Sequence, residues 1–343
     1  MTTFPTITPE RLQRWAKSRG ISARYEGSQY LHCVIEGFPG IVKLDAEVGV
    51  LTVILTFYFP QGDAGLGSAA SNPEKIWKLV HKQAMSDWAP REFYIPASEE
   101  DGAKYERQID LCIDEGITEC QLDELIPATV DALYAAEAFH PGIAEAIAHQ
   151  CYDTVEKSHS LMAAWRQSIA ERAPQTYGRP EIDDATFDKL AWWNGDQSEI
   201  GIVIDDARLV TQLAHWSTQI NCSHRDALSV FSFCYVGLDI EVILGEGKIA
   251  VSHYRQLMSE AVRNKELQEY WAQTFSFRYT PYSLGMQENS GGVLLRYQYW
   301  QPAIPMTDKQ LRAFIGSSIS AIERQVNEIM GFLMPINIVG EGQ

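Results

Sequence analysis

Two stretches near opposite ends of the chain, ITECQLDELIPATVDAL (117–133) and MTDKQLRAFIGSSISAI (306–322), spell the same helix twice. Each opens on a hydroxyl able to cap a helix, Thr118 in one and Thr307, beside Asp308, in the other. Each continues as one apolar stripe: Leu122, Leu125, Ile126, Val130 and Leu133 align with Leu311, Phe314, Ile315, Ile319 and Ile322. A stripe of that width has to be buried against a second layer. A chain that carries it twice must supply two comparable surfaces, and that limits the available folds more than any other feature.

The segments before each helix supply those surfaces. Thr8-Pro9-Glu10 starts a helix with a capping hydroxyl, a proline at the first position and an acid in the first turn. Leu12, Trp15, Ala16 and Arg19 follow at helical spacing, and Gly20 ends it. The runs LHCVI (31–35), GIVKLD (40–45) and VLTVILTFY (50–58) read as strands joined by turns at Gly37, Gly40 and Gly49. After the loop QGDAGLGSAASN (61–72), Pro73 leads a helix through Ile76, Leu79, Val80 and Gln83. REFYI (91–95) and KYERQIDLCI (104–113) then form a hairpin around PASEEDG.

The second half follows the same plan. Asp205-Asp206 cap a helix containing Leu209, Val210, Leu213 and Trp216. ALSVFSFCYV (227–236), LDIEVIL (238–244) and KIAVSHY (248–254) form a second meander, and a helix over 255–271 comes next. The pair TFSFRY (274–279) and GVLLRYQYW (292–300) precedes the last helix. Gly49–Val53 precedes Gly247–Val251 by 198 positions, Pro96 precedes Pro281 by 185, and Thr118 precedes Thr307 by 189. The loop 61–72, which has no counterpart, takes up the difference at little cost in closure entropy. The order α-β-β-β-α-β-β-α thus occurs twice. It predicts an α+β fold of two tandem units, each an antiparallel five-stranded sheet with helices packed on it.

The 343 residues are too many for one ordinary core. The boundaries fall at 1–140 for the first unit and 202–335 for the second. Between them, 141–201 holds a helical extension, begun near residue 127 and broken at HPG (140–142), and a linker rich in Pro, Gly and Asp.

The formal charge of −17 argues against nucleic acid and anionic membrane as partners, since neither polyanion gains by meeting an acidic surface. It suits a solvated surface, or a partner segment that is basic or amphipathic. The most apolar run, VGVLTVILTFYF (48–59), is too short to span a bilayer, and the first residues lack the charged and apolar regions of a signal peptide. Cys33, Cys112, Cys120, Cys151, Cys222 and Cys234 are too scattered for a disulfide framework. Reduced thiols in a cytoplasmic protein are the expectation.

No stretch names a reaction. GDAGLG (62–67) lacks the Lys-Ser/Thr of a phosphate loop and the glycine spacing of a dinucleotide fold. No His-x-x-x-His, zinc-binding helix or Cys-x-x-Cys occurs, and Cys222 with His224 makes only half a site. Ser317-Ser318 lie mid-helix, Cys33 and Cys234 read as buried strand thiols, and Cys112 and Cys120 as semi-buried ones at a strand end and a helix start. Glu99-Glu100-Asp101, Asp183-Asp184 and Asp205-Asp206 are turn or cap residues by position. No catalytic residue, metal ligand or cofactor is therefore expected. Trp192 and Trp193 stand out in the polar linker. They either pin the linker onto a unit or offer a contact surface to a partner protein, a role in which tryptophan is favoured.

The strand, turn, long strand and capped helix of REFYIPASEEDGAKYERQIDLCIDEGITECQLDELIPATVDAL resemble the YbjN family and the wider fold of type III secretion chaperones. So does the counterpart FSFRYTPYSLGMQENSGGVLLRYQYWQPAIPMTDKQL, and the resemblance covers most of both halves but not 140–200. It implies a non-enzymatic protein. YbjN relatives are described as regulators without an assigned activity. The chaperone relatives are small acidic dimers that hold unfolded client segments on sheet and helix surfaces. A fused pair would be such a dimer in one chain, no longer dependent on concentration. The expected role is a protein-binding module, chaperone-like or regulatory, whose partner is a protein or client segment. A homodimer of the whole chain stays open. So does a second class of function, an enzyme or small-molecule-binding protein with a site assembled from scattered residues, marked by a strongly shifted pKa in a concave pocket.

Overall fold

The computed structural model describes residues 7–18, 22–26, 30–35, 38–45, 49–58, 85, 88, 90–95, 104–134, 203–258, 283–289 and 292–333. The first half runs α1 (Pro9–Ser18), β1 (Ser22–Glu26), β2 (Tyr30–Ile35), β3 (Phe38–Asp45), β4 (Val50–Tyr58), β5 (Arg91–Ile95), β6 (Lys104–Cys112) and α2 (Glu119–Tyr134). The second runs α3 (Asp206–Leu213), β7 (Asn221–Arg225), β8 (Leu228–Tyr235), β9 (Leu238–Gly245), β10 (Lys248–Met258), β11 (Ser283–Asn289), β12 (Gly292–Pro302) and α4 (Asp308–Leu333). The strands form two sheets, ordered β1-β2-β3-β4-β6-β5 and β7-β8-β9-β10-β12-β11. Every pairing between them is antiparallel. Strand for strand the two orders are the same, and the protein is α+β.

Each sheet has six strands, one more than the sequence predicts. The additions, SARYE in β1 and NCSHR in β7, are polar edge strands, and every residue of β7 is exposed. A strand with no buried side leaves no hydrophobic alternation to read. Two further expectations are corrected. Residues 255–258, assigned to a helix, prolong β10, because Arg255–Met258 pair with Gly292–Leu295 of β12. The hairpin partner of β12 is Ser283–Asn289 rather than 274–279. Residues 127–134, read as the start of the extension, are the last turns of α2. The run 274–279, the loop 61–72, the helix through 76–83, residues 259–271 and the whole of 135–202 lie outside the described residues.

Alternation along the central strands sends one set of side chains under the helices. Leu51, Val53, Ile109 and Leu111 join Leu12, Trp15 and Ala16 of α1 and Leu122, Leu125, Ile126 and Leu133 of α2 in the core. In the second sheet, Ile249, Val251, Leu257, Leu295 and Tyr299 join Leu311, Phe314, Ile315, Ile319 and Ile322 of α4. Tyr299 meets Phe314 edge-on with centroids 5.9 Å apart, a geometry worth about 1 kcal/mol beyond the area it buries. Val210 is an exception to the expected stripe of α3: it faces solvent, and Trp216 lies half-buried past the helix end.

The first helix of each half is braced against the last by a matching strut. Arg11 donates from Nη2 to the Ile117 carbonyl at 2.9 Å. Arg208 donates from Nη2 to the Met306 carbonyl at 2.6 Å and from Nε to Asp308 at 2.8 Å. Both contacts use carbonyls at the entrance of α2 or α4. The strand-closing bonds match as well: Ile113 N–H to the Gly49 carbonyl and Ala303 N–H to the Gly247 carbonyl, each 2.8 Å.

Candidate functional site

The two halves meet where β6 approaches β12; α2 lies on β4 and β6 and reaches β12, while α4 lies on β10 and β12 and reaches β6. At the start of each of these helices a Thr-x-x-Gln segment closes a capping box. Thr118 Oγ1 accepts from the Gln121 N–H at 3.0 Å, and Gln121 Oε1 accepts from the Thr118 N–H at 3.1 Å. Thr307 and Gln310 repeat this at 3.2 and 3.0 Å.

The two glutamine amides then bond to each other. Gln121 Nε2 donates to Gln310 Oε1 at 2.9 Å, and Gln310 Nε2 donates to Gln121 Oε1 at 3.0 Å. The same two amides also donate across the seam in mirrored fashion, Gln121 to the Pro305 carbonyl at 3.0 Å and Gln310 to the Gly116 carbonyl at 2.8 Å. Thr118 and Thr307, Gln121 and Gln310, and Gly116 and Pro305 are each 189 positions apart, so the arrangement is a local two-fold built from one chain. Each amide nitrogen donates two hydrogens, its full capacity, and each amide oxygen accepts from its own threonine N–H and from the opposite amide.

Other contacts extend the seam. The Cys112 N–H donates to Gln301 Oε1 at 3.1 Å, and Cys112 Sγ lies 3.5 Å from Ser317 Oγ on α4. Burial raises the Cys112 thiol above its ordinary pKa, with the bonds to Asp114 and Ser317 opposing, so the group is a poor nucleophile at neutral pH. Trp88 stands edge-on to Trp300 at 6.3 Å, and the Lys248 ammonium lies 5.6 and 5.9 Å from the two ring centres. Arg296, fully buried, donates to the Met85 carbonyl at 2.8 Å.

On the side of β4, β5 and β6 turned away from α1 and α2, a buried polar cluster lies beside Ile54. Thr52, Arg91, Glu106, Gln108 and Asp110 are sealed from solvent. The Thr52 hydroxyl and the Arg91 guanidinium both bond the Asp110 carboxylate, and Gln108 donates to Glu106 at 3.2 Å. Tyr299 of the second half is close enough to feel this cluster. Burial first, then the charges of Asp110 and Cys112, push its hydroxyl well above its ordinary pKa, with Arg91 opposing. Such a phenol donates a hydrogen bond but supplies no base. Hydroxyl, carboxylate and guanidinium bond to one another, which suits an internal polar contact better than a reaction centre.

The residues singled out from sequence are dispersed. Trp192 and Trp193, Glu99-Glu100-Asp101 and Asp183-Asp184 lie outside the described residues. Asp205 caps α3 by accepting from the Arg208 N–H at 2.8 Å, and Asp206 accepts from Ser229 Oγ at 2.9 Å. Cys222 and His224 lie on the exposed strand β7, where His224 Nδ1 is 3.2 Å from Ser229 Oγ. Cys234, expected buried, is exposed, because it precedes the β8–β9 turn on the side of the sheet away from Phe231 and Phe233. Ser318 is buried and bonds back to the Phe314 carbonyl at 2.6 Å. Among the described residues no three His, Cys, Asp or Glu side chains gather to hold a metal, and no helix is long and apolar enough to cross a membrane. Gln121 and Gln310 went unmarked in the sequence, although a Thr-x-x-Gln ahead of each apolar stripe is the written sign of a capping box.

No protein-family model matches the sequence, and no curated protein matches it either. Among solved structures, the chain is similar to YbjN from E. coli, which is described as a proposed transcription regulator. The identity is 18%, the match covers 43% of this chain and 96% of that one, and the TM-score is 0.31.

Proposed function

We propose that the protein is a non-enzymatic protein-binding module, chaperone-like or regulatory, in which two copies of one α+β unit act as an intramolecular pseudo-dimer. The observation that carries the reading is the reciprocal Gln121–Gln310 seam. Two halves with the same strand order meet through equivalent residues, each giving what the other gives. That is the form of an isologous dimer interface, here closed within one chain. Thr52, Arg91 and Asp110 bond one another within the first half, which favours a binding role over a reaction. The charge of −17 supports a basic or amphipathic protein segment as the partner. Trp192 and Trp193 are the residues assigned to that contact.

The test is capture of partners from native lysate by the tagged full-length chain, followed by quantitative mass spectrometry. One or two strongly enriched proteins, lost when Trp192 and Trp193 are replaced together by alanine, are expected. An empty capture at moderate salt would overturn the reading and turn attention to small-molecule ligands.

A further inference from the structure

His253 lies within β10, paired with Ile240 of β9 and Tyr297 of β12. It shares the helix-facing side of the strand with Arg255, whose guanidinium reaches Met330 of α4 at 3.6 Å. The imidazole is buried and stacked on the Tyr297 ring, with centroids 5.9 Å apart and planes 22° from parallel. Its Nδ1 is 2.8 Å from the Asp239 carbonyl. A carbonyl only accepts, so Nδ1 carries the proton and Nε2 presents a lone pair. That Nε2 is buried with no hydrogen-bond partner.

The neutral ring is thus accommodated, whereas an imidazolium would need a second acceptor. Among the described residues none bonds Nε2. The charged groups bearing on the ring are Arg255 of its own strand, which repels a second cation, and Asp239 of β9. β12 presents the neutral Tyr297, and every buried side chain of α4 is uncharged. The corresponding position in the first sheet is Leu55, which pairs with Arg107 as His253 pairs with Tyr297. The first half therefore has no titrating group there.

We propose that His253 is an acid-sensitive latch: taking up a proton loosens α4 from the second sheet while α2 stays closed on the first. Opened, the imidazole titrates near 6.5; packed, burial and Arg255 hold it below that value, against the pull of Asp239. Just below 6.5 the opened form is the one that binds the extra proton. The stability tied to the neutral ring is therefore complete above that pH and is lost as the pH falls through the window.

The test is hydrogen exchange of the full chain from about pH 7.5 to about pH 5.5, corrected for intrinsic rates, on the natural protein and on His253→Asn. Asparagine keeps a donor for the Asp239 carbonyl and does not titrate. Peptides of α4 in the natural protein should open with a constant that rises up to about tenfold per pH unit more than in the variant. Peptides of α2 should show no such rise. Equal slopes in the two proteins, or α2 and α4 opening together, would overturn the latch. Should the variant fail to fold, carbon-13 spectra of labelled histidine in the natural protein still decide. A neutral ring protonated at Nδ1, in contact with Tyr297 and persisting below pH 6.5 in the folded protein, is expected; an imidazolium in the closed state overturns it.

Discussion

Val236 has a backbone φ of 49° and is 71% exposed, at the tip of the β8–β9 hairpin. A β-branched residue in the left-handed region crowds its own carbonyl and costs about 1–2 kcal/mol. It is followed by Gly237 at φ 79°, so both turn positions are left-handed, the pattern for which Asn-Gly is the natural solution. Val236 is mostly exposed, so its replacement forfeits little packing. Val236→Asn should therefore raise stability by about 1 kcal/mol, read as a higher urea midpoint with an unchanged slope. An unchanged or lower midpoint would mean that the turn draws on some contact other than its backbone preference. The neighbouring Glu246–Gly247 turn carries the same two positive φ values, yet glutamate lacks the β-branch and stores less strain.

At the scale of the element, the entrances of α2 and α4 decide how the helices meet the seam. Thr118 is fully buried and its hydroxyl is committed to the Gln121 N–H, so Thr118→Ala leaves that donor unpaired and should cost about 1–2 kcal/mol. Thr118→Ser keeps the hydroxyl and should restore most of the loss in the same denaturation experiment. If serine were as damaging as alanine, the buried methyl rather than the cap would hold the helix entrance. These entrances were half legible. The capping threonines and the stripes of α2 and α4 stand in the sequence, and β4 and β5 occur with the bounds that alternation predicts. What failed was anything set by partners distant in sequence. The exposed β7 has no periodicity, and β10 runs on to Met258 only because β12 offers it a ladder. The same holds for the site: the hydroxyls can be read one helix at a time, whereas the meeting of Gln121 and Gln310, 189 positions apart, exists only in three dimensions.

At the scale of the molecule, each half has its own helix-covered sheet, and the seam decides whether they behave as one body or two. The amide pair gives a direct way to ask. Replacing Gln121 alone by Met removes its bonds, leaves the Pro305 carbonyl unmet and deprives the Gln310 amide of its opposite partner, with a cost of about 2 kcal/mol from lost and unmet hydrogen bonds. Gln310→Met does the same in mirror image. The double substitution leaves no stranded amide, since both partners have gone. Its cost should fall short of the sum of the singles by about 1 kcal/mol or more, whereas groups that do not meet would simply add. Denaturation followed by one probe in each half completes the argument. In the natural chain the two probes should trace a single transition, because neither half can unfold without stripping the other's glutamine of its partner. Once either single substitution weakens the seam, the traces should separate. Singles whose costs add, with traces that stay superimposed, would show that the halves are held together elsewhere and that the two-fold of glutamines is incidental to their union.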